Sequence, residues 1–439
     1  MSTIDTPVST TEHPAADLPD PAQAGHRCGA DGSPQDAGPP RRTGERITML
    51  LENNPYPNDP RVHYEAESLV AAGHAVEVIA PRRKGQAARE RINGVEVRRF
   101  RLIHTRRLGT KAILLEYLVA GFALHLAAFR ALLRGSTVLH LHNPPDMLFL
   151  AGAMFRLAGR KVVFDHHDLA PELAAVKFGP GTLRDVARVS ERLTFAVASH
   201  VLAANESHAE IARGRGRMGA DQVTVVRNGP PASWTRLPMS VRQGVLAPVR
   251  IAYLGTVSEQ DGLDGIAEVL ACLRDRNPTV EAVLTVIGDG DAWGKFEAAL
   301  ARWGVTDNVK MAGWVDADQV PGLLQEADIC VDPAPATELN ERSTMIKLME
   351  YLALGKPVVA YDLLESRRTL GDAGMLAEPG DVQGFAERIA VIAEDPALRS
   401  NMAHRARERA RELTWEKSEA ALLAAYGDLA RGRSAQLAS

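Results

Sequence analysis

The chain has 439 residues, is 45% hydrophobic and 24% charged, and carries a net charge of −4 from 51 basic and 55 acidic residues. That is ordinary globular composition, long enough for two or three domains, and its balance excludes a general nucleic-acid-binding role. Three widely spaced cysteines, Cys28, Cys272 and Cys330, exclude a disulfide scaffold and a CxxC metal site and fit a reducing, cytoplasmic setting.

Residues 1–44 hold seven prolines and five glycines with few bulky apolar side chains, so a disordered tail is expected. They lack the apolar stretch of a signal peptide. From residue 46, short β-rich runs alternate with helical stretches. The predicted strands are Ile47–Leu51, Ala75–Ala80, Val95–Phe100, Val138–His142, Lys161–Asp165, His200–Ala204 and Val223–Arg227. Arg61–Ala72 and Thr182–Ala198 are predicted helices between them. Strands with little polar alternation, separated by helices, indicate a parallel sheet covered on both faces.

The longest apolar stretch, Ala112 to Leu133, is interrupted by Glu116, His125 and Arg130, so it does not read as a membrane span. A long helix packed on the sheet and a helix resting in a membrane interface both fit it. Residues 81–111 carry eleven Lys/Arg, Arg106 and Arg107 among them, against two Glu. Anionic lipid at the inner face of the membrane would attract such a cluster, and so would an anionic small acceptor.

The proline- and glycine-rich segment 231–248 reads as a linker between domains at 45–230 and 249–413. The alternation resumes at Arg250–Leu254 and continues through Ala282–Ile287, Val309–Met311, Ile329–Val331, Pro357–Tyr361 and Gly374–Leu376, before a last helix at 414–432. The fold class is therefore α/β, with two doubly wound domains. Ligands on such sheets sit beyond the carboxyl ends of the strands, here in the cleft between the domains.

The densest motif is Glu338-Leu-Asn-Glu-Arg-Ser-Thr-Met-Ile-Lys-Leu-Met-Glu-Tyr-Leu-Ala-Leu-Gly-Lys-Pro-Val-Val-Ala360. Ser343 or Thr344 is expected to cap a helix beginning near Met345 and ending at Gly355. A helix start at a strand's carboxyl edge offers free N–H groups to a phosphate. Lys347 lies in the first turn, where a cation opposes the helix dipole unless an anion is near. Glu350 shares its face, and a carboxylate there accepts hydrogen bonds from a ribose diol.

In the first domain, Asn53-Asn-Pro-Tyr-Pro-Asn-Asp-Pro-Arg-Val-His63 follows the first strand and contains no G-x-G-x-x-G, which argues against a dehydrogenase. Arg61, at a helix start, either meets a donor phosphate or a charged acceptor, or pairs with Glu65. His140-Leu-His-Asn-Pro-Pro-Asp146 and Phe164-Asp-His-His-Asp-Leu-Ala-Pro-Glu172 end adjacent predicted strands. Their histidines lack H-E-x-x-H spacing and no cysteine joins them, so no metal site is expected.

These segments resemble glycosyltransferase family 4, retaining enzymes of the GT-B fold, over nearly all of residues 46–430. Glu350 and Gly355-Lys-Pro-Val-Val359 match the family's second glutamate and the turn after it. Its first glutamate falls on Arg342, with Glu341 one residue out of register, so the donor-sugar contact falls to one of these two or the sugar differs. Ile251-Ala-Tyr-Leu-Gly-Thr-Val-Ser-Glu-Gln-Asp-Gly-Leu-Asp264 resembles the first nucleotide-domain loop, where Thr256 and Asp261 stand in place of the family's Arg and Lys. The resemblance implies that Gly255, Thr256, Gly288, Gly313, Trp314, Ser343, Thr344, Met345, Lys347 and Glu350 face the nucleotide and its diphosphate. It implies that His167, or else His166, acts at the reacting centre, with Asp168 beside the donor sugar or acceptor. Leu413-Thr-Trp-Glu416 resembles the start of a helix that crosses back to the first domain. A nucleotide-diphosphate sugar as co-substrate, no cofactor, no metal and a small-molecule or lipid-linked acceptor follow. The alternatives are a sugar-nucleotide epimerase of the same fold and a non-catalytic sugar-nucleotide-binding protein.

Overall fold

Fourteen strands among the described residues form two sheets in the computed structural model. It describes residues 44–437 except 53, 102–109, 145, 180 and 277–280, and not the side chains of 110–118, 146 and 432–437. Nearly all of the expected disordered tail, and Arg106 and Arg107, lie outside these residues.

The first sheet comprises β1 (Arg46–Leu50), β2 (Ala75–Arg82), β3 (Arg89–Ile92), β4 (Val95–Arg101), β5 (Val138–His142), β6 (Lys161–His166), β7 (His200–Ala203) and β8 (Val223–Val225), in the order 3-4-2-1-5-6-7-8. The second comprises β9 (Val249–Leu254), β10 (Ala282–Ile287), β11 (Val309–Gly313), β12 (Ile329–Asp332), β13 (Val358–Tyr361) and β14 (Gly374–Ala377), in the order 11-10-9-12-13-14. Both are parallel except for the β3–β4 pair. The sequence reading lacks β3. Its residues, Arg-Glu-Arg-Ile, carry no apolar pattern, and it pairs only at the sheet edge through an Asn93-Gly94 turn with positive φ at both positions.

The central strands of each sheet are buried on both faces, which is why they read as unbroken apolar runs. In the first, β1, β2, β5 and the helix Pro60–Ala71 share a core with Trp415, Leu422 and Tyr426 of the last helix, Trp415–Leu437. That helix therefore crosses back onto the first sheet, as the resemblance implies. Trp415 donates to Ser68 Oγ at 3.2 Å and stacks on Tyr64 at 5.3 Å. The opposite face packs under helices Thr110–Leu133, Phe149–Leu157 and Thr182–Val197 through Leu124, Ala128, Phe155 and Phe195. The apolar stretch at 112–133 is thus a helix laid on the sheet. No helix among the described residues is long and apolar enough to cross a membrane.

Leu339 belongs to the chain of the second sheet yet packs into the core of the first. Polar bonds reinforce that junction. Ser207 donates to Glu365 from both N and Oγ, at 3.1 and 2.7 Å, and Arg368 pairs with Glu210 and Glu365 at 2.8 Å.

Candidate active site in the cleft

The carboxyl end of β6 carries Asp165, and parallel register sets it beside His142 of β5. Asp165 is fully buried and collects four donors. Arg61 reaches it twice, at 2.5 and 2.7 Å; His142 Nδ1 lies at 2.9 Å and His167 Nδ1 at 3.0 Å. Burial raises a carboxyl's pKa, but Arg61, His167 and the histidine hydrogen bonds reverse the effect and hold Asp165 well below the carboxylate range. The His167 imidazole responds in kind. Burial lowers its pKa, yet Asp165 and then Asp168 raise it from 6.5 to about 9. His167 is therefore an imidazolium at neutral pH, with Nδ1 committed to Asp165 and Nε2 without a hydrogen-bond partner among the described residues.

The backbone around it is held by Asn143. Its Oδ1 accepts from the N–H groups of His167 and Asp168 at 2.9 and 3.1 Å, and its Nδ2 donates to the Asp168 carbonyl at 2.6 Å. Neither Asn143 nor Asp165 is among the residues assigned to the site from sequence, although both lie in the two motifs that end β5 and β6. Apart from His167, which is two residues from Asp165, their partners sit some twenty or more residues away, so no local spacing identifies them.

Two expectations change in this half of the cleft. His166 points away, with a side chain 0% exposed among Phe164, Phe195 and His208 and 3.4 Å from Glu191. Strand alternation forces this, since neighbours on a strand face opposite sides. Arg61 is likewise spent internally. Besides Asp165 it lies 3.3 Å from Glu65 and donates at 2.7 Å to the Val226 carbonyl and to Asn228 Oδ1, so four of its five hydrogens go to interior acceptors.

Glu65, His140, His142 and Asp165 form the group among the described residues whose ligand atoms lie close enough to consider a metal. The Arg61 guanidinium already supplies the positive charge between the two carboxylates, so the donor set fits a buried ion-pair network better than a divalent cation. His140 is tied in turn to the crossing helix by Tyr426 Oη at 2.8 Å.

On the other side of the cleft, three glycine turns converge. Gly255 donates to Ile287 O at 3.0 Å and Gly288 to Gly313 O at 2.8 Å. Gly255 and Gly288 have φ of 143° and 138°, and a Cβ on Gly288 would stand 1.9 Å from Gly255 O, so backbone packs directly on backbone. Against Gly255 lies Lys347. Its Nζ is 2.9 Å from Asp261, 3.5 Å from Asp332 and 3.1 Å from Tyr253 Oη, above the tyrosine ring. Burial opposes its charge, but Asp332, Tyr253 and Asp261 raise its pKa above the usual lysine value. The anion that a first-turn lysine requires is thus supplied by the protein. Asp261, standing in place of the family's lysine, and Lys347 form an inverted pair, and Lys347 reaches a diphosphate only in competition with two carboxylates.

The helix that carries it runs Ile346–Ala353 with Met345 at its N-cap, and neither the Ser343 nor the Thr344 hydroxyl caps it. Ser343 Oγ donates back to Leu339 O at 2.8 Å, and Thr344 Oγ1 accepts from Asn205 Nδ2 at 2.9 Å. The segment before it contains a short helix, Glu338–Arg342. Leu348 N donates to the Met345 carbonyl at 3.0 Å, whereas the N–H groups of Ile346 and Lys347 have no side-chain cap among the described residues and stay available to an anion. Asn205 also donates to Arg342 O at 2.8 Å while its Oδ1 accepts from His208 N, so one side chain starts a first-sheet helix and binds the loop before Ile346–Ala353 of the second sheet.

Glu350 has no hydrogen-bond or ion-pair partner among the described residues. Burial pushes its carboxyl up to about 7, with Lys347 pulling it down. Glu341 Oε2 accepts from Leu364 N at 2.7 Å and so serves the next helix. The Arg342 guanidinium, half-buried one residue on, has no such partner among the described residues. Thr256 is exposed, its carbonyl accepting from Tyr253 Oη at 2.8 Å, and Trp314 is 67% exposed beyond Gly313.

Comparisons with known proteins agree with this geometry. The family described as "Glycosyl transferases group 1" matches residues 248–395, and that described as "Glycosyl transferase 4-like domain" matches residues 59–229. Phosphatidyl-myo-inositol mannosyltransferase of Mycolicibacterium smegmatis is 27% identical over 376 residues, covering 82% of this chain and 87% of that protein. Glycogen synthase of Mycobacterium tuberculosis is 26% identical over 217 residues, 49% of this chain and 50% of the relative, so the match spans about half that relative's length. Among solved structures, sucrose-phosphate synthase from Thermosynechococcus elongatus superposes with a TM-score of 0.68 at 18% identity over 89% of this chain and 100% of that one. Anabaena HepE in complex with UDP-glucose gives 0.61 at 16% identity over 89% and 99%. These likenesses establish the two-domain GT-B fold.

Proposed function

The chain belongs to the group 1 glycosyl transferases, and we propose that it is a retaining enzyme moving a sugar from a nucleoside-diphosphate sugar to a small-molecule or lipid-linked glycan acceptor, without a metal. The reading divides the chain as the sequence does, with acceptor binding at 45–230, nucleotide-sugar binding at 249–413 and a crossover helix at 414–432. One observation carries it. A charged imidazole, His167, stands at the carboxyl edge of one sheet, and an uncapped helix start followed by an unpartnered carboxylate, Glu350, stands at that of the other, with Asn205 joining the two halves.

In this reading the diphosphate rests on the N–H groups opening Ile346–Ala353 and beside Gly255 and Gly288. Gly313 and Trp314 face the base and Glu350 accepts from the ribose hydroxyls. Met345, Ser343 and Thr344 shape the loop, and Arg342 and Asp168 line the sugar pocket. As the glycosidic bond opens, His167 Nε2 donates to the reacting sugar, whose leaving diphosphate is stabilised by fixed dipoles. The acceptor hydroxyl attacks from the face the diphosphate leaves, and its proton passes to a departing phosphate oxygen. Closure of the cleft keeps water from competing.

A thermal-shift screen with UDP, GDP, ADP and TDP tests the assignment. One of the four is expected to raise the melting temperature by several degrees at about 100 times its dissociation constant, where binding adds about 2.7 kcal/mol, with no magnesium present. No shift from any of them overturns the nucleotide site, and a shift only with magnesium overturns the metal-free reading. HepE, crystallised with UDP and with UDP-glucose, makes UDP the first of the four to try.

The inverted Asp261–Lys347 pair gives a second test. Asp261→Asn removes a negative charge beside the diphosphate and releases Lys347 toward it. Removing a like charge near the protein surface is worth about 1 kcal/mol, so the responding nucleotide is expected to bind about fivefold tighter by titration calorimetry. Weaker binding would mean that the pair orders the loop rather than restrains the lysine.

A further inference from the structure

Among the described residues sixteen large apolar side chains are exposed, and ten of them lie on four helices on one side of the first sheet. Phe122, Phe129 and Leu133 come from Thr110–Leu133, Leu150 and Leu157 from Phe149–Leu157, Val176 and Phe178 from Ala170–Phe178, and Val186, Val189 and Leu193 from Thr182–Val197. Leu157 is 90% exposed and Phe122 72%. On Thr182–Val197 they fall at spacings of three and four residues, so they form a stripe on its outer side while Thr194 and Phe195 face the core. A soluble surface seldom gathers apolar side chains in this way without a partner.

The charges around the stripe identify that partner. Arg130, Lys177, Arg188 and Arg192 are exposed on the same helices and have no acid partner among the described residues. Asp185 is the exposed acid among the described residues of these four helices, and Arg184 covers it at 3.1 Å. A two-fold contact with a second copy would set these cations against themselves. An anionic bilayer accepts both components, since its headgroups pair with arginines while apolar side chains enter the acyl boundary.

We propose that this four-helix face docks on an anionic membrane surface. The proposal rests on the transferase reading above and narrows its acceptor to the lipid-linked class. The helix Ala170–Phe178 lies against both Thr182–Val197 and Glu338–Arg342, and it begins three residues after His167. The docking face therefore continues to the rim of the cleft, where an acceptor anchored in the bilayer would present its head group.

Co-sedimentation of the full chain with vesicles tests this. The protein is expected to pellet with phosphatidylcholine vesicles containing about 30 mol% phosphatidylglycerol and to remain in solution with phosphatidylcholine alone. Val189→Asp with Leu193→Asp should weaken the partition at least about tenfold, and Arg188→Gln with Arg192→Gln by about thirtyfold, at roughly 1 kcal/mol per lost cation. A retained nucleotide-induced thermal shift shows that each variant is folded. The arginine pair is solvent-exposed and keeps the test valid if the aspartate pair disturbs packing. Equal pelleting of wild type and both folded variants, or no pelleting with the anionic vesicles, overturns the proposal. So does a dimer in light scattering that Val189→Asp with Leu193→Asp dissolves. If wild type pellets with anionic vesicles but no nucleoside diphosphate shifts its melting, docking stands and the transferase reading fails.

Discussion

Asp165→Asn is expected to cost about 3–5 kcal/mol of unfolding free energy in a denaturant melt and at least about a hundredfold in turnover. The stability loss follows from Arg61. Its guanidinium is buried, makes its two shortest ion-pair contacts to Asp165, and would be left with Glu65 and two neutral acceptors. Removing one member of a buried ion pair strands the other without solvent. The turnover loss follows from His167, which depends on Asp165 for both its orientation and its charge. The sign with pH is definite. A histidine pKa raised to about 9 means the imidazolium is present below that value and lost above it. The alkaline limb of the wild-type rate profile should therefore lie near 9, and in Asp165→Asn it should move down toward the ordinary histidine range. An unchanged alkaline limb would show that His167 is not the donor at the reacting centre. Retained stability would show that Arg61 finds another partner.

The second large effect is expected at Glu350. Glu350→Ala should abolish the thermal shift given by the responding nucleoside diphosphate, a loss of binding of about a hundredfold or more for two charge-assisted hydrogen bonds. Burial holds this carboxyl near 7 in the free protein, so the ionised form that accepts from a ribose is populated above 7 and lost below it. Nucleotide affinity is expected to be constant above that pH and to fall about tenfold per unit below it, a dependence that Glu350→Gln should remove. The same substitution should stabilise the free protein above pH 7, because it takes a desolvated charge out of the cleft. A full nucleotide shift in Glu350→Ala would move the ribose site elsewhere.

These two residues mark how far local sequence reaches. Glu350 was legible because its role depends on neighbours within one motif, namely a helix start, a first-turn lysine and a glycine–proline exit. Asp165 was visible only as a letter between Phe164 and His166. Its function lies in four bonds to Arg61, His142 and His167, and Arg61 is 104 residues away. The hydroxyls of Ser343 and Thr344 show the converse. Sequence places both at a helix start, where capping is the local preference, but Leu339 and the distant Asn205 claim them first. The inverted Lys347–Asp261 pair is intermediate. The sequence shows each departure from the family pattern, and the fold shows that the two compensate each other.

By itself, then, the sequence determined the alternation of strands and helices, the two sheets, the crossing helix and the position of the cleft. All but the crossing helix, which the family resemblance implied, rest on periodic burial and on Gly and Pro punctuation, which are properties of a few consecutive residues. Tertiary structure alone decided which charged groups are spent and which remain free. Arg61, His166 and Glu341 are consumed by interior partners, whereas His167, Glu350 and the first amides of Ile346–Ala353 are left open. A buried charge takes its behaviour from whatever lies within a few ångströms of it, and chain order does not encode that distance.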